Sequence, residues 1–264
     1  MDTEVRSSAD RDRPPALDGR AGRSLSAVRH WWRGLGFWQE LALLAVICCT
    51  VIALVSAFVA QPFLIPSGSM ENTVRIGDRV LVDKLAYRFG GAPRRGDVVV
   101  FDGTGSFDFR TPPRQNPAAH LAREAFSLVG LANPDGTDYI KRVVGIGGDH
   151  VACCDRQGRI TVNGHAVTEP YLYPGDTPSQ VPFSILVPPG QLWVMGDHRS
   201  ASSDSRAHLG DPGGGTVPVG KVIGRADWIV WPFDRAGSLR RPPAFDGVPA
   251  APTASTTPAG GAHG

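Results

Sequence analysis

The chain has 264 residues, enough to bury a sizeable core in one or two domains. Its 27 Lys and Arg nearly cancel 25 Asp and Glu, and a formal charge of +2 argues against nucleic acid as a partner. With 32 Gly, 23 Pro and only 8% aromatic residues, the composition predicts short strands and many turns rather than a helix bundle.

Residues 1–24 are rich in Asp, Arg, Ser and Pro, and 1–37 is predicted to be a basic, largely disordered segment. From Leu41 to Ala60 the sequence runs about twenty residues without a charge, which as a helix matches the hydrocarbon thickness of a bilayer. A transmembrane helix is therefore predicted over 38–60. Arg20, Arg23, Arg29, His30 and Arg33 precede it, and Trp31, Trp32 and Trp38 stand where an aromatic belt would lie. The basic flank predicts a cytoplasmic N-terminus and an extracytoplasmic body. Small residues at Val55-Ser56-Ala57 offer a cleavable signal as the competing reading, but the apolar run is long and some forty residues precede it. A retained anchor is predicted.

The body, 61–236, is dense in strand signals: Arg79–Val82, Asp97–Phe101, Tyr139–Val144, Arg159–Val162, Leu192–Met195 and Trp228–Trp231. Asn163-Gly164 predicts a two-residue hairpin turn. The stretch 103–137 reads as an insertion, with a helix-like pattern around Ala118 to Leu131. From Arg240 onward the Pro/Ala/Gly/Thr-rich sequence predicts no packed element, and 237–264 is expected to be a disordered tail.

Cys48-Cys49 lies in the apolar run, and Cys153-Cys154 lies in a predicted strand, His150 to Asp155, where neighbours point to opposite faces. Two separate packed thiols are expected there, since a bond between adjacent cysteines is strained. With no C-x-x-C and seven scattered histidines, no metal site and no cofactor are expected.

Three stretches could carry chemistry. Pro66-Ser67-Gly68-Ser69-Met70 puts Ser69 nine residues past the apolar run, within roughly 30 Å of the membrane edge. Its bland reading is a flexible Gly/Ser turn. Tyr139-Ile140-Lys141-Arg142-Val143-Val144-Gly145 holds a lysine within an apolar strand, with Lys141 and Arg142 on opposite faces. Burial would lower its pKa from about 10.4 towards 7–8, at roughly 3–4 kcal/mol, whereas a lysine reaching the surface would keep its charge. Met195 to Arg206 is a loop of Gly, Asp, Ser and Arg, suited either to support a site or to face solvent.

In this order, with Ile76-Gly77-Asp78, Arg95-Gly96-Asp97-Val98-Val99, Gly148-Asp149, Gly196-Asp197-His198-Arg199 and Asp204-Ser205-Arg206, these stretches resemble the successive sequence boxes of bacterial type I signal peptidases (peptidase family S26). The likeness runs from the anchor to about Trp231. It implies a mainly β fold: an antiparallel β catalytic core with a smaller second domain inserted within about 103–190, behind one N-terminal transmembrane helix. It implies Ser69 as nucleophile and Lys141 as the neutral amine that takes its proton. Ser67 and the Ser69 N–H would form the oxyanion hole, Ser202 would orient the lysine, and Asp197, Asp204, Arg206 and Arg142 would brace the site. The implied partners are secretory preproteins, cut after small residues, and the lipid bilayer. Asn72, Gly147 and His198 depart from the family pattern, at turns and in the loop rather than at the serine or lysine.

Two other readings differ in kind. A self-cleaving repressor with Ser–Lys chemistry needs a DNA-binding helix-turn-helix, and here a basic segment and an apolar span stand in its place. A non-enzymatic anchored scaffold predicts loss of Ser69 or Lys141, and both are present.

Overall fold

The computed structural model describes residues 36–109 and 137–251. The helix-like pattern at Ala118–Leu131, the basic residues ahead of the span and the last residues of the tail lie outside them.

Helix α1, Phe37–Phe58, is about 33 Å long at 1.5 Å per residue. Among the described residues it is the one helix long and apolar enough to cross a membrane, with a mean hydropathy of 2.8 in its most apolar stretch. Leu44, Val46, Ile47, Ile52 and Leu54 are all exposed and stand on all sides of the helix, so it has no single polar face. The Thr50 hydroxyl donates to the Val46 carbonyl at 2.8 Å, which satisfies this polar group within the helix.

The rest of the described chain is mainly β. The strands are β1 (Ala60–Leu64), β2 (Arg79–Asp83), β3 (Val98–Asp102), β4 (Asp138–Ile146), β5 (His150–Cys153), β6 (Ile160–Val162), β7 (His165–Ala166), β8 (Phe183–Leu186), β9 (Gln191–Met195), β10 (Val217–Pro218), β11 (Val222–Trp231) and β12 (Gly237–Ser238). An eight-stranded antiparallel sheet has the order β1-β2-β11-β3-β4-β9-β10, with β12 paired to β11. A four-stranded sheet, β7-β6-β5-β8, is inserted between β4 and β9. The fold class is thus the one expected. Strand β4 falls within 103–190 yet pairs in the large sheet, so the inserted sheet occupies 150–186.

The central strands read as continuous apolar runs because both of their faces are covered. Val98 and Val100 pack into one cluster with Phe63, Met70, Val74 and Val80, while Val99 and Phe101 pack into another with Val143, Leu192 and Val194. Strand β2 has one covered face and alternates buried with partly exposed residues. Asn163 and Gly164 both have positive φ, 53° and 77°, as the tight turn between β6 and β7 requires.

Two expectations are corrected. The sulfurs of Cys153 and Cys154 are bonded to each other, where separate thiols were expected. The side-chain alternation of β5 stops at Cys153, its last residue, and the peptide that follows is cis.

The tail expected to be disordered from 237 is packed as far as the described residues reach. β12 pairs with β11, Arg241 pairs with Asp97 at 2.7 Å, and Phe245 and Val248 join the core of the small sheet. Arg95 donates to the Val248 and Pro249 carbonyls while it pairs with Asp149. Two apolar side chains and backbone carbonyls held by arginine are enough to fix a segment whose composition alone looks loose. Val248→Ala is expected to lower stability by about 2 kcal/mol, two buried methyl groups, as a lower urea midpoint at unchanged slope.

Candidate active site

Ser69 sits in a single 3-10 turn, Gly68–Met70, fixed from both sides. Met70 and Val74, both fully buried, anchor the segment after it, and Ile65 exchanges backbone hydrogen bonds with Gly77 and Asp78 ahead of it. The turn is therefore not a flexible Gly/Ser linker. Ser69 itself is 5% exposed.

Lys141 projects from β4, which is bonded to β3 on one side and β9 on the other. It is 3% exposed and does not reach the surface. Its Nζ lies 2.8 Å from Ser69 Oγ and donates to the Ile140 carbonyl at 3.0 Å. Burial pushes the Lys141 ammonium down to about 8, while the carboxylates of Asp204 and Asp197 pull against that shift. A buried hydroxyl and an amine that sheds its proton near neutral pH are thus in direct contact.

Ser67 Oγ is 3.4 Å from Ser69 Oγ, on the exposed side of the turn. Ser202, expected to orient the lysine, makes no hydrogen bond to it. Its buried Oγ lies close enough to Asp204 to favour the ionised carboxylate without completing a hydrogen bond. A side chain at Gly196 would collide with Ser202 Oγ and the Ser69 carbonyl, so glycine lets the two segments meet.

The four charged residues form two buried pairs. Arg142 forks onto Asp197 at 2.8 and 2.6 Å, and its Nη1 also donates to the Gly96 carbonyl at 2.9 Å. Arg206 forks onto Asp204 at 2.9 and 2.8 Å, and Asp204 accepts the Gly196 N–H at 2.9 Å. Burial alone would raise the Asp204 carboxyl, but the Arg206 guanidinium and the Gly196 backbone N–H hold it low.

Several supporting groups were missed in the sequence. Thr73 donates to Asp197, the Tyr171 ring lies 4.1 Å from the Arg142 guanidinium, and Glu169 pairs with the buried Arg199. Arg199 Nε donates to the Gly196 carbonyl at 2.9 Å, so this third pair holds the same loop. Thr73, Glu169 and Tyr171 follow no period and stand in irregular segments, which left no signal. His198 stacks on Tyr173 at 3.9 Å, and its Nδ1 meets the Gly68 carbonyl at 3.2 Å. Its backbone N–H donates to the Ser69 carbonyl. It supports the turn and makes no hydrogen bond to the Ser69 hydroxyl.

No group of three or more His, Cys, Asp and Glu side chains suited to a metal occurs among the described residues.

The family model for signal peptidase, peptidase S26, matches residues 38–231. Signal peptidase I of Mycobacterium tuberculosis (strain ATCC 25618 / H37Rv) is 44% identical over 223 residues, 76% of this chain and 75% of that protein. Probable signal peptidase I of Mycobacterium leprae (strain TN) is 39% identical over 256 residues, 86% and 88% of the two chains. The crystal structure of a signal peptidase I from Enterococcus faecalis V583 matches with a TM-score of 0.31 at 23% identity, covering 50% of this chain and 95% of that one. The class is that of a serine peptidase. The chain belongs to the signal peptidase I family, peptidase family S26.

Proposed function

We propose that the protein is a membrane-anchored endopeptidase that removes N-terminal signal peptides from exported preproteins, with Ser69 as nucleophile and Lys141 as general base. The observation that carries this reading is the 2.8 Å contact between Lys141 Nζ and Ser69 Oγ, with the amine buried and its pKa lowered to about 8. Roughly a tenth of the molecules then hold a neutral amine at pH 7. As Ser69 Oγ attacks the scissile carbonyl, its proton passes to Nζ. The Ser67 hydroxyl and the Ser69 N–H stabilise the oxyanion. Lys141 returns the proton to the leaving amine, then takes one from the water that hydrolyses the acyl-enzyme.

The anchor is α1, with residues 1–37 on the cytoplasmic side and the body from 61 outside. The short link between α1 and Ser69 favours substrates that are themselves tethered to the membrane. Shallow pockets beside Ser69 would restrict cleavage to bonds after small residues.

Cleavage of a preprotein in detergent by the wild type and by Ser69→Ala tests the assignment. Removing the hydroxyl is expected to reduce turnover by about 10³-fold or more while leaving the melting temperature near that of the wild type. Substantial turnover by Ser69→Ala means that another group attacks the carbonyl.

A further inference from the structure

Strand register sets the depth of one loop relative to the end of α1. β1 leaves the helix, and β2 returns antiparallel to it with Ala60 opposite Asp83. Lys84 therefore lies beside Val59, and its backbone N–H donates to the Val59 carbonyl at 2.9 Å. Lys84 Nζ donates to the Ser56 carbonyl at 2.9 Å, one of the last carbonyls of the helix. Arg225 also stands opposite Asp83, which brings the first residues of β11 to this end of the sheet.

A cavity of about 420 Å³ opens here, with Ala57, Lys84 and Arg88 on one side and Val219, Val222 and Ile223 on the other. The volume is in the range of small-ligand sites. Arg88 is exposed and makes no ion pair among the described residues, and Phe89 beside it is 86% exposed. Burial lowers the pKa of Lys84, the nearby Arg88 lowers it further, and Asp138 offsets only part of this. Two cations and an apolar wall meet at the level where the apolar helix ends, and among the described residues Asp138 is the acid that acts on Lys84.

We propose that this cavity binds the phosphodiester headgroup of an anionic glycerophospholipid, with Lys84 and Arg88 on the phosphate and the apolar wall against the first carbons of the acyl chains. The inference rests on the reading of α1 as a membrane span. An interfacial phosphate would meet the three-donor ammonium and the guanidinium fork, whose attraction at a membrane surface is about fivefold in affinity for each cation. Phe89, next to Arg88, would lie at headgroup depth, where amphipathic and aromatic side chains settle.

The full chain in nanodiscs of phosphatidylcholine mixed with phosphatidylglycerol, analysed by native mass spectrometry, tests this. The wild type is expected to retain phosphatidylglycerol in preference to phosphatidylcholine. Arg88→Gln should weaken that preference about fivefold, and Lys84→Gln with Arg88→Gln should abolish it. Arg156→Gln, an exposed cation in the loop after the small sheet's first strand, should leave it unchanged. Arg88 carries no structural hydrogen bond from its side chain among those described, so its variant stays readable if Lys84→Gln folds poorly. Equal retention of both lipids, or an unchanged preference in Arg88→Gln, overturns the proposal. Stabilisation of the detergent-solubilised protein by soluble glycerol phosphate to the same degree as by phosphatidylglycerol reassigns the site to free phosphates and also overturns it. Alkaline carbonate extraction reads the anchor separately: release from membranes sinks the span, whereas retained protein without lipid preference sinks the site alone.

Discussion

Lys141→Met is expected to lower kcat/KM by about 10³–10⁴-fold and, at pH 7, to raise the melting temperature. Both effects come from one cause. In the proposed mechanism the buried amine acts as a base because burial disfavours its charge, and the folded protein carries that cost whenever the amine is protonated. The fall from 10.5 to about 8 corresponds to about 3 kcal/mol. Between these two pH values the unfolded chain binds more protons than the folded one, so stability rises with pH across the window. Below about pH 8 the penalty is complete; above about 10.5 it is gone. Methionine fills a similar volume without the charge, so the gain should be largest at and below neutral pH and vanish in strong alkali. Thermal unfolding of both proteins at pH 7 and pH 10.5 checks this. A variant less stable than the wild type at both values would mean that the lysine is a net structural support.

Asp197→Ala is expected to cost about 3–5 kcal/mol. It leaves the Arg142 guanidinium, 3% exposed, without a counter-charge, and leaves Thr73 without its acceptor. Gly96 and Tyr171 still face the guanidinium, but a carbonyl and a ring do not neutralise it. Replacing both partners with apolar residues, Arg142→Met with Asp197→Leu, should recover much of the loss, because the burial cost of two ions disappears with them. Urea unfolding of Arg142→Met, Asp197→Leu and the double variant measures the coupling. A near-additive result would show that the two side chains act independently. Asp197→Asn carries a further signature: Asp197 raises the Lys141 pKa, so removing its charge should move the acidic limb of activity to lower pH.

Much of this was legible before the structure because the relevant signals are local. Apolar runs bounded by Gly, Pro and Asp gave the main strands, and Asn163-Gly164 gave its turn. Strand β1 escaped notice because Ala60–Leu64 follows the apolar helix with only Val59 between them, and its Pro62 reads as a breaker. The packed tail escaped because Phe245 and Val248 are isolated apolar residues whose burial depends on a sheet formed by residues 150–186, far earlier in the chain. At the site, Lys141 was ambiguous for a physical reason. Whether a strand lysine reaches water or a serine depends on what covers the strand, and here the Ser69 turn lies against the lysine. The Glu169–Arg199 pair lay out of reach because Glu169 stands in a segment without a pattern, and only the tertiary fold brings it to Arg199.

The pH dependence of kcat/KM for preprotein cleavage by the wild type tests the central claim most directly. If Lys141 must be neutral to take the Ser69 proton, activity rises with pH through one acidic limb near 8 and then levels. A limb near 6.5, the ordinary range of a histidine, or near 4, that of a carboxylate, would contradict the account by assigning the proton to another group.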